Sequence, residues 1–211
     1  MLDSKYVMLI LNCYKYKSKA EHQKNTWLKT LNDDITYFHI IGDSNITLNN
    51  KYMIDHSNNI IYTNTKDDYV SLPHKVIVAL EAINENYNYK YIFKTDDDQM
   101  LKNDKFFNII SKLLSAKEYN YGGRVLSVPD HNSNYHVIHD ELPKKLFLKG
   151  TTYCTGRFYI LSKLSVDYLI TQKSKIIKHI IEDHAIGLYL SDKLKGLTLN
   201  IMTDNFFIDS N

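Results

Sequence analysis

YIFKTDDDQML, residues 91–101, runs from bulky apolar side chains straight into three consecutive aspartates. Neighbouring like charges repel, so a strand that ends beside them is destabilised unless something positive answers them. A short apolar run closed by carboxylates is what the carboxyl end of a buried strand looks like in a layered α/β protein, where ligands bind beyond the strand ends.

The flanking sequence repeats that pattern. KYVMLILNC (5–13) is a continuous apolar run of strand length, and ITYFHIIGD (35–43) is a second one ending in a glycine turn. Between them Ser18 and Glu21 offer a capping box, and Ala20, Trp27, Leu28 and Leu31 give a helical face. Residues 45–68 are polar and broken, with one short strand expected at NIIYT (59–63). A helix is expected from about Ser71, with Pro73 in its first turn and Val76, Ile77, Leu80 and Ile83 on its apolar side. After the aspartates, Phe106, Ile109, Ile110, Leu113 and Leu114 mark an amphipathic helix. In the second half, residues 119–128 read as a bent strand and 129–145 as a polar loop rich in histidine. TTYCTGRFYILS (151–162) reads as a strand interrupted by Gly156, KLSVDYLITQ (163–172) as a helix, EDHAIGLYLSDKL (182–194) as one further helix closed by Gly196, and LTLNIM (197–202) as a last strand. Strands alternating with helices predict an α/β domain with a mostly parallel central sheet flanked by helices.

Composition narrows the function. The chain has 211 residues, 44% of them hydrophobic, and only three prolines, the size of one globular domain. A formal charge of +2 against 26 basic and 24 acidic side chains gives no electrostatic reason to expect nucleic acid. Arg124 and Arg157 are the only arginines in a lysine-rich chain, a weak pointer to planar contacts with anions. Cys13 and Cys154 are too few for a disulfide framework and lack metal-site spacing. With no leader pattern, and with YVMLIL far too short to span a bilayer, the expectation is a soluble, cytoplasmic protein.

The aspartates admit two readings. If the chain stays extended, Asp96 and Asp98 lie on one side and Asp97 on the other, and the two hard carboxylates suit Mg²⁺ or Mn²⁺ carrying a diphosphate. Alternatively, they form an acidic loop capping the next helix, with Asp104 near its start. Glu182 and Asp183 likewise open a helix. They can be there for the helix dipole, or one can act as a general base that takes a proton from an attacking hydroxyl. His131, His136 and His139 lie in the polar loop at irregular spacing and read as surface histidines.

Four blocks in order resemble the β-1,3-galactosyltransferase and Fringe type of enzyme, glycosyltransferase family 31, with the GT-A (Rossmann-like) fold. They are KNTW (24–27), DDYVSLPHK (67–75), KTDDDQM (94–100), and YCTGRFYILS (153–162) followed by EDHAIGLYL (182–190). The resemblance implies a single catalytic domain, with a nucleotide-binding half at 1–100 and an acceptor-binding half at 101–211. It implies a metal-dependent inverting transfer of a hexose (galactose, glucose or N-acetylhexosamine) from a UDP-sugar to a hydroxyl of a glycan or glycoprotein. By the same resemblance Asp98 is the direct ligand of Mn²⁺ or Mg²⁺, and Asp96 reaches the ribose or a metal-bound water. Asp183 is the base with Glu182 beside it, and Lys24, Asp67, Lys75, Asp97, Thr155 and Gly156 line the donor. Three departures stand out. Phe158 replaces a glycine and is expected to narrow the sugar pocket, Pro73 replaces a threonine, and no histidine follows His184 to complete the metal site. Asp204, Asn205 or Asp209 would have to supply oxygen instead, and a weaker metal site is expected. Two other classes use similar features: a metal-dependent nucleotidyltransferase or phosphohydrolase, and a catalytically silent glycan-binding module of the same fold.

Overall fold

Every residue of the strand Tyr6–Leu11 is buried, and the alternation of its side chains divides the core in two. Tyr6, Met8 and Ile10 join Phe93, Phe106, Phe158 and Phe207 in one hydrophobic cluster, whereas Val7, Leu9 and Leu11 join Val76, Leu80, Ile83 and Ile186 in the other. A strand with helices on both faces has no polar side to show, which is why the run is continuously apolar.

The computed structural model describes residues 1–46 and 50–210. Its strands are β1 Leu2–Asp3, β2 Tyr6–Leu11, β3 Ile35–Gly42, β4 Tyr52–Asp55, β5 Ile60–Thr63, β6 Tyr87–Asn88, β7 Tyr91–Asp96 and β8 Gln99–Leu101, then β9 Tyr121–Val128, β10 His131–Ser133, β11 Leu146–Leu148, β12 Thr151–Ser162, β13 Thr198–Asn200 and β14 Phe207–Asp209. The helices are α1 Lys17–Asn25, α2 Leu72–Asn86, α3 Phe106–Ala116, α4 Lys163–Thr171, α5 Lys173–Ile176, α6 Glu182–Tyr189 and α7 Asp192–Lys195. Eight strands form the main sheet in the order β13-β9-β12-β7-β2-β3-β5-β4. β7, β2, β3 and β5 run parallel, as do β13 and β9, while β12 is antiparallel to both its neighbours and β4 to β5. The sheet is thus the expected mostly parallel one, with antiparallel pairs on both sides of β12 and at the β4 edge.

Several local expectations change. Ser18 and Glu21 form no capping box: a 3₁₀ turn at Tyr14–Tyr16 leads directly into α1, so the helix starts one residue before Ser18 and its entry needs no side-chain cap. Trp27 and Leu28 sit in a separate 3₁₀ turn because the helix breaks at Thr26. The polar stretch holds two strands, β4 and β5, instead of one; its residues 47–49 lie outside the described residues. The helix expected over 182–194 is two, split where Ser191 leaves helical geometry and accepts from the Leu194 N–H as the cap of α7. β7 ends at Asp96 and the chain turns at Asp97–Asp98, so strand alternation does not govern where the last two aspartates point. The closing strand β14, which pairs with β8, was not expected.

The interruption at Gly156 is a large bulge. β12 pairs with β9 through Thr151–Cys154 and again from Tyr159, while Thr155–Phe158 loop out of register. On the partner strand Gly123 has φ +149°, and a Cβ there would stand 2.7 Å from the Phe158 carbonyl oxygen, so only glycine fits the kink.

Candidate active site

The positive group that answers the aspartates is Lys94, two residues before the first of them. Its ammonium lies in the protein interior, 2.7 Å from Asp96 Oδ1, 3.0 Å from Glu182 Oε2 and 3.0 Å from the Gly156 carbonyl oxygen. β7 supplies the lysine and Asp96, the β12 bulge supplies Gly156, and the start of α6 supplies Glu182. The Tyr159 hydroxyl donates to Glu182 Oε1 at 2.5 Å, so that carboxylate is held on both sides. Burial alone would lower the Lys94 pKa, but Asp96 and Glu182 outweigh it and keep the ammonium charged.

Asp183, the next residue on α6, is oriented by backbone: Gly156 N–H donates to its Oδ2 and His184 N–H to its Oδ1, both at 2.7 Å. A Cβ on Gly156 would stand 3.3 Å from Lys94 Nζ and 3.5 Å from both Asp183 Oδ2 and Asp96 Oδ2. The missing side chain therefore lets Lys94 and an aspartate of each acidic block close on the backbone of the bulge. Burial raises the pKa values of Glu182 and Asp183, with Lys94 pulling the other way. It pushes Asp96 up to about 6 and Asp97 up to about 7, against Lys94 and Lys19 respectively. Around Asp183 stand Tyr69, Tyr135 and Tyr153, whose phenols are raised first by burial and then by the Asp183 charge. His139 stacks on Tyr69 at 4.0 Å between centroids, so the 129–145 loop covers this side of the site.

Of the residues expected on the nucleotide side, Asp67 and Lys75 meet at the ends of β2 and β3. Lys75 is 1% exposed, and its ammonium donates to Asp67 Oδ1 at 2.6 Å and to the Asn12 carbonyl at 2.9 Å. Asp67 also accepts from the Gly42 N–H at 2.8 Å and the Tyr14 N–H at 2.7 Å. This pair therefore ties the loops after β2 and β3 to α2. Lys24 pairs with Glu21 one turn back on α1 at 3.1 Å, and Thr155 sits in the bulge beside Gly156. Phe158 does not narrow a sugar pocket: its ring is fully buried among Phe93, Phe106 and Phe207, where it fills the core.

Asp98 lies in the turn, its Oδ1 accepting from Gln99 Nε2 at 2.8 Å. The same nitrogen donates to Asp209 Oδ1 at 2.8 Å, which brings the closing strand beside the turn, whereas Asp204 is engaged by Arg124 and Arg157. Among the described residues no group of three or more His, Cys, Asp or Glu converges on a metal position, the loop histidines included. Hard oxygen donors on an accessible turn do fit Mg²⁺ or Mn²⁺, which keep waters and take phosphate oxygens, so that one or two protein carboxylates suffice.

Lys94, Tyr159 and Gln99 were not singled out from sequence. Lys94 was legible in principle, because a lone charge inside a strand otherwise buried on both faces must find a partner.

A family model described as Galactosyltransferase matches residues 19–195. No curated protein matches the sequence. Among solved structures the chain is similar to a putative glucose-1-phosphate thymidylyltransferase from Bacillus anthracis in complex with sucrose, at 12% identity over 93% of this chain and 85% of that one, TM-score 0.50. It is similar to WbbM, a bifunctional glycosyltransferase, at 9% identity over 95% of this chain and 39% of that one, TM-score 0.50. A third, the galactosyltransferase LgtC in complex with donor and acceptor sugar analogs, aligns at 10% identity over 92% of this chain and 72% of that one, TM-score 0.47. At such identities the likeness to the first two is one of fold.

Proposed function

The chain belongs to the galactosyltransferase family, and from that membership and the geometry at Gly156 we propose that it is a metal-dependent inverting glycosyltransferase. In this reading a UDP-sugar gives up a hexose to a hydroxyl of a glycan or glycosylated protein. The observation that carries it is the convergence on Gly156 of Asp96, at the strand end, and Asp183, at the helix start. A donor seated at the strand end would present its anomeric carbon beside these two carboxylates, with the acceptor entering from the side of Tyr69, Tyr135 and Tyr153. Asp183 takes the acceptor proton, the acceptor oxygen bonds to the anomeric carbon from the face opposite the leaving group, and the anomeric carbon–oxygen bond breaks with its electron pair going to the diphosphate. A carboxyl raised by burial is a better base near neutral pH than a solvated aspartate.

Asp98, with Asp96 beside it, would hold the divalent ion, which when bound neutralises charge on the departing diphosphate. Lys94 keeps Asp96 and Glu182 in place as fixed charges. Asp67 and Lys75 shape the loops that would flank the nucleotide, with Asp97 on the same border. No helix among the described residues is long and apolar enough to cross a membrane.

The test is a thermal-shift screen of UDP, GDP, CMP and their sugars with and without Mn²⁺, followed by transfer assays with sugar acceptors. A shift that needs UDP and Mn²⁺ together and disappears in Asp98→Ala supports the reading. Asp183→Asn should keep that shift and lose transfer by about 10²–10⁴-fold. The absence of any nucleotide effect would reject it.

A further inference from the structure

The turn that carries Asp97 and Asp98 is clasped from behind by one buried side chain. Gln23, on α1, is 1% exposed, and its Nε2 donates to the carbonyl oxygens of Asp96 at 3.1 Å and Gln99 at 2.9 Å. Those are the residues at the two ends of the turn. Carbonyls only accept, so both amide hydrogens are committed and the orientation of the carboxamide is fixed. Its Oε1 then faces His39 Nε2 at 3.1 Å, which requires the histidine to carry its hydrogen on that nitrogen and donate it. His39 is itself 1% exposed and its Nδ1 has no partner, as a neutral ring in this tautomer allows. Burial first, and the Lys24 charge second, favour that neutral form.

We propose that Gln23, fixed by His39, is a positioning residue for the aspartate turn and thereby sets the affinity of the site for the divalent ion of a nucleoside diphosphate. The proposal rests on the donor-binding reading above. The remaining backbone bonds of the turn come from β2 and the closing strand: Asp97 N–H donates to the Leu11 carbonyl at 3.0 Å and Ser210 N–H to the Asp98 carbonyl at 2.6 Å. Neither holds the carbonyls of Asp96 and Gln99. Without Gln23 those two groups and the His39 N–H lose their partner in a dry interior, and the turn is released to find others. A metal site built on one or two carboxylates has little to absorb such a loosening, because groups outside the ligand shell fix where the ligands stand.

Isothermal titration of Mn²⁺ into the protein saturated with UDP, and of UDP into metal-free protein, tests this on the wild type, Gln23→Met and Gln23→Asn. Methionine keeps the length and removes the hydrogen bonds; asparagine keeps the amide but withdraws it by one methylene. The expected result is a Mn²⁺ dissociation constant raised about tenfold or more in both variants, with metal-free UDP affinity within about twofold of wild type. Unchanged Mn²⁺ affinity in a variant whose melting temperature has fallen would make Gln23 a packing residue and overturn the proposal. Wild-type protein that binds neither UDP nor Mn²⁺ would overturn the donor-binding reading along with it. If neither variant folds, the wild type decides: the ¹⁵N resonances of the Gln23 carboxamide and His39 ring should move when Mg²⁺ and UDP are added together but not with UDP alone, and resonances that stay still overturn the proposal.

Discussion

Lys94 and Glu182 form an ion pair at 3.0 Å in which the lysine side chain is 3% exposed and the glutamate 5%. One lies in the middle of β7 and the other opens α6, so the pair fastens the strand that ends in the aspartates to the helix that carries Asp183. Removing a single partner from a buried pair strands the other charge, which costs about 3–5 kcal/mol. Lys94→Met is therefore expected to lose that much stability in urea denaturation at pH 7.5. Lys94→Met combined with Glu182→Gln should recover a substantial part of it, since the second change removes the stranded charge. A double variant no more stable than the single one would show that Asp96, not Glu182, is the partner that matters.

Gly156 has an ordinary backbone angle, so what the position needs from glycine is space. In Gly156→Ala the new methyl group would press on the flexible ends of Lys94, Asp96 and Asp183 without striking backbone. The expected outcome is a melting temperature close to wild type together with a loss of transfer of about 100-fold, the scale on which small misplacements in a reacting site act. An alanine variant that transfers normally would place the reacting atoms elsewhere.

How far these features could be read in advance depended on where their partners lie. The strands β2 and β7 and the helices α2 and α3 were legible because burial on a face writes a local period into the sequence. Asp96–Asp98 and Glu182–Asp183 were legible because charge at the end of an apolar run breaks that period. The split between α6 and α7 was hidden, because Leu190 and Leu194 continue the apolar spacing through a residue, Ser191, that reads equally well as surface or cap. The pairing of β8 with β14 was out of reach: two three-residue strands carry no period, and their meeting is fixed by contacts such as Gln99 with Asp209, 110 residues apart. The place of Phe158 in a motif suggests a pocket residue, but an aromatic ring next to Phe93, Phe106 and Phe207 lowers free energy more by packing than by facing water.

Asp97 gives the turn a pH dependence of definite sign. Burial holds its pKa at about 7 in the folded protein, above the 3.8 of an unperturbed aspartate. The folded state therefore binds this proton more tightly than the unfolded one, and the stability it contributes is complete below about pH 4 and lost as pH rises through about 7. Asp97→Asn stays uncharged throughout. In metal-free buffer the variant should match wild type near pH 4 and exceed it above pH 7 by on the order of 2 kcal/mol, about half of what the shift alone would give, since the carboxyl keeps contact with water. Histidines that are buried neutral, such as His39, tilt both curves the other way below pH 6.5 and cancel in the difference. A variant no more stable than wild type at pH 8 would mean that the charged carboxylate is adequately solvated.

The two arginines meet at the closing strand. Arg157 Nη2 stands 2.9 and 3.0 Å from the two carboxylate oxygens of Asp209, Nη1 donates to the Phe207 carbonyl at 3.2 Å, and Arg124 and Arg157 both pair with Asp204. The anion that a planar guanidinium suits here belongs to the protein itself. Because Ser210 donates to the Asp98 carbonyl, holding β14 also holds the turn that bears the proposed metal ligand. Lysine cannot span both oxygens and reach the carbonyl as well. Arg157→Lys should cost only about 1 kcal/mol or less in global stability, as the pair is partly exposed, with Asp209 at 63%. Local opening is a different quantity from global stability, and amide protection at residues 207–210 should fall about tenfold or more by hydrogen exchange while that of β2 and β7 is unchanged. Protection at 207–210 that survives the substitution would assign the closing strand to its backbone pairing with β8 alone.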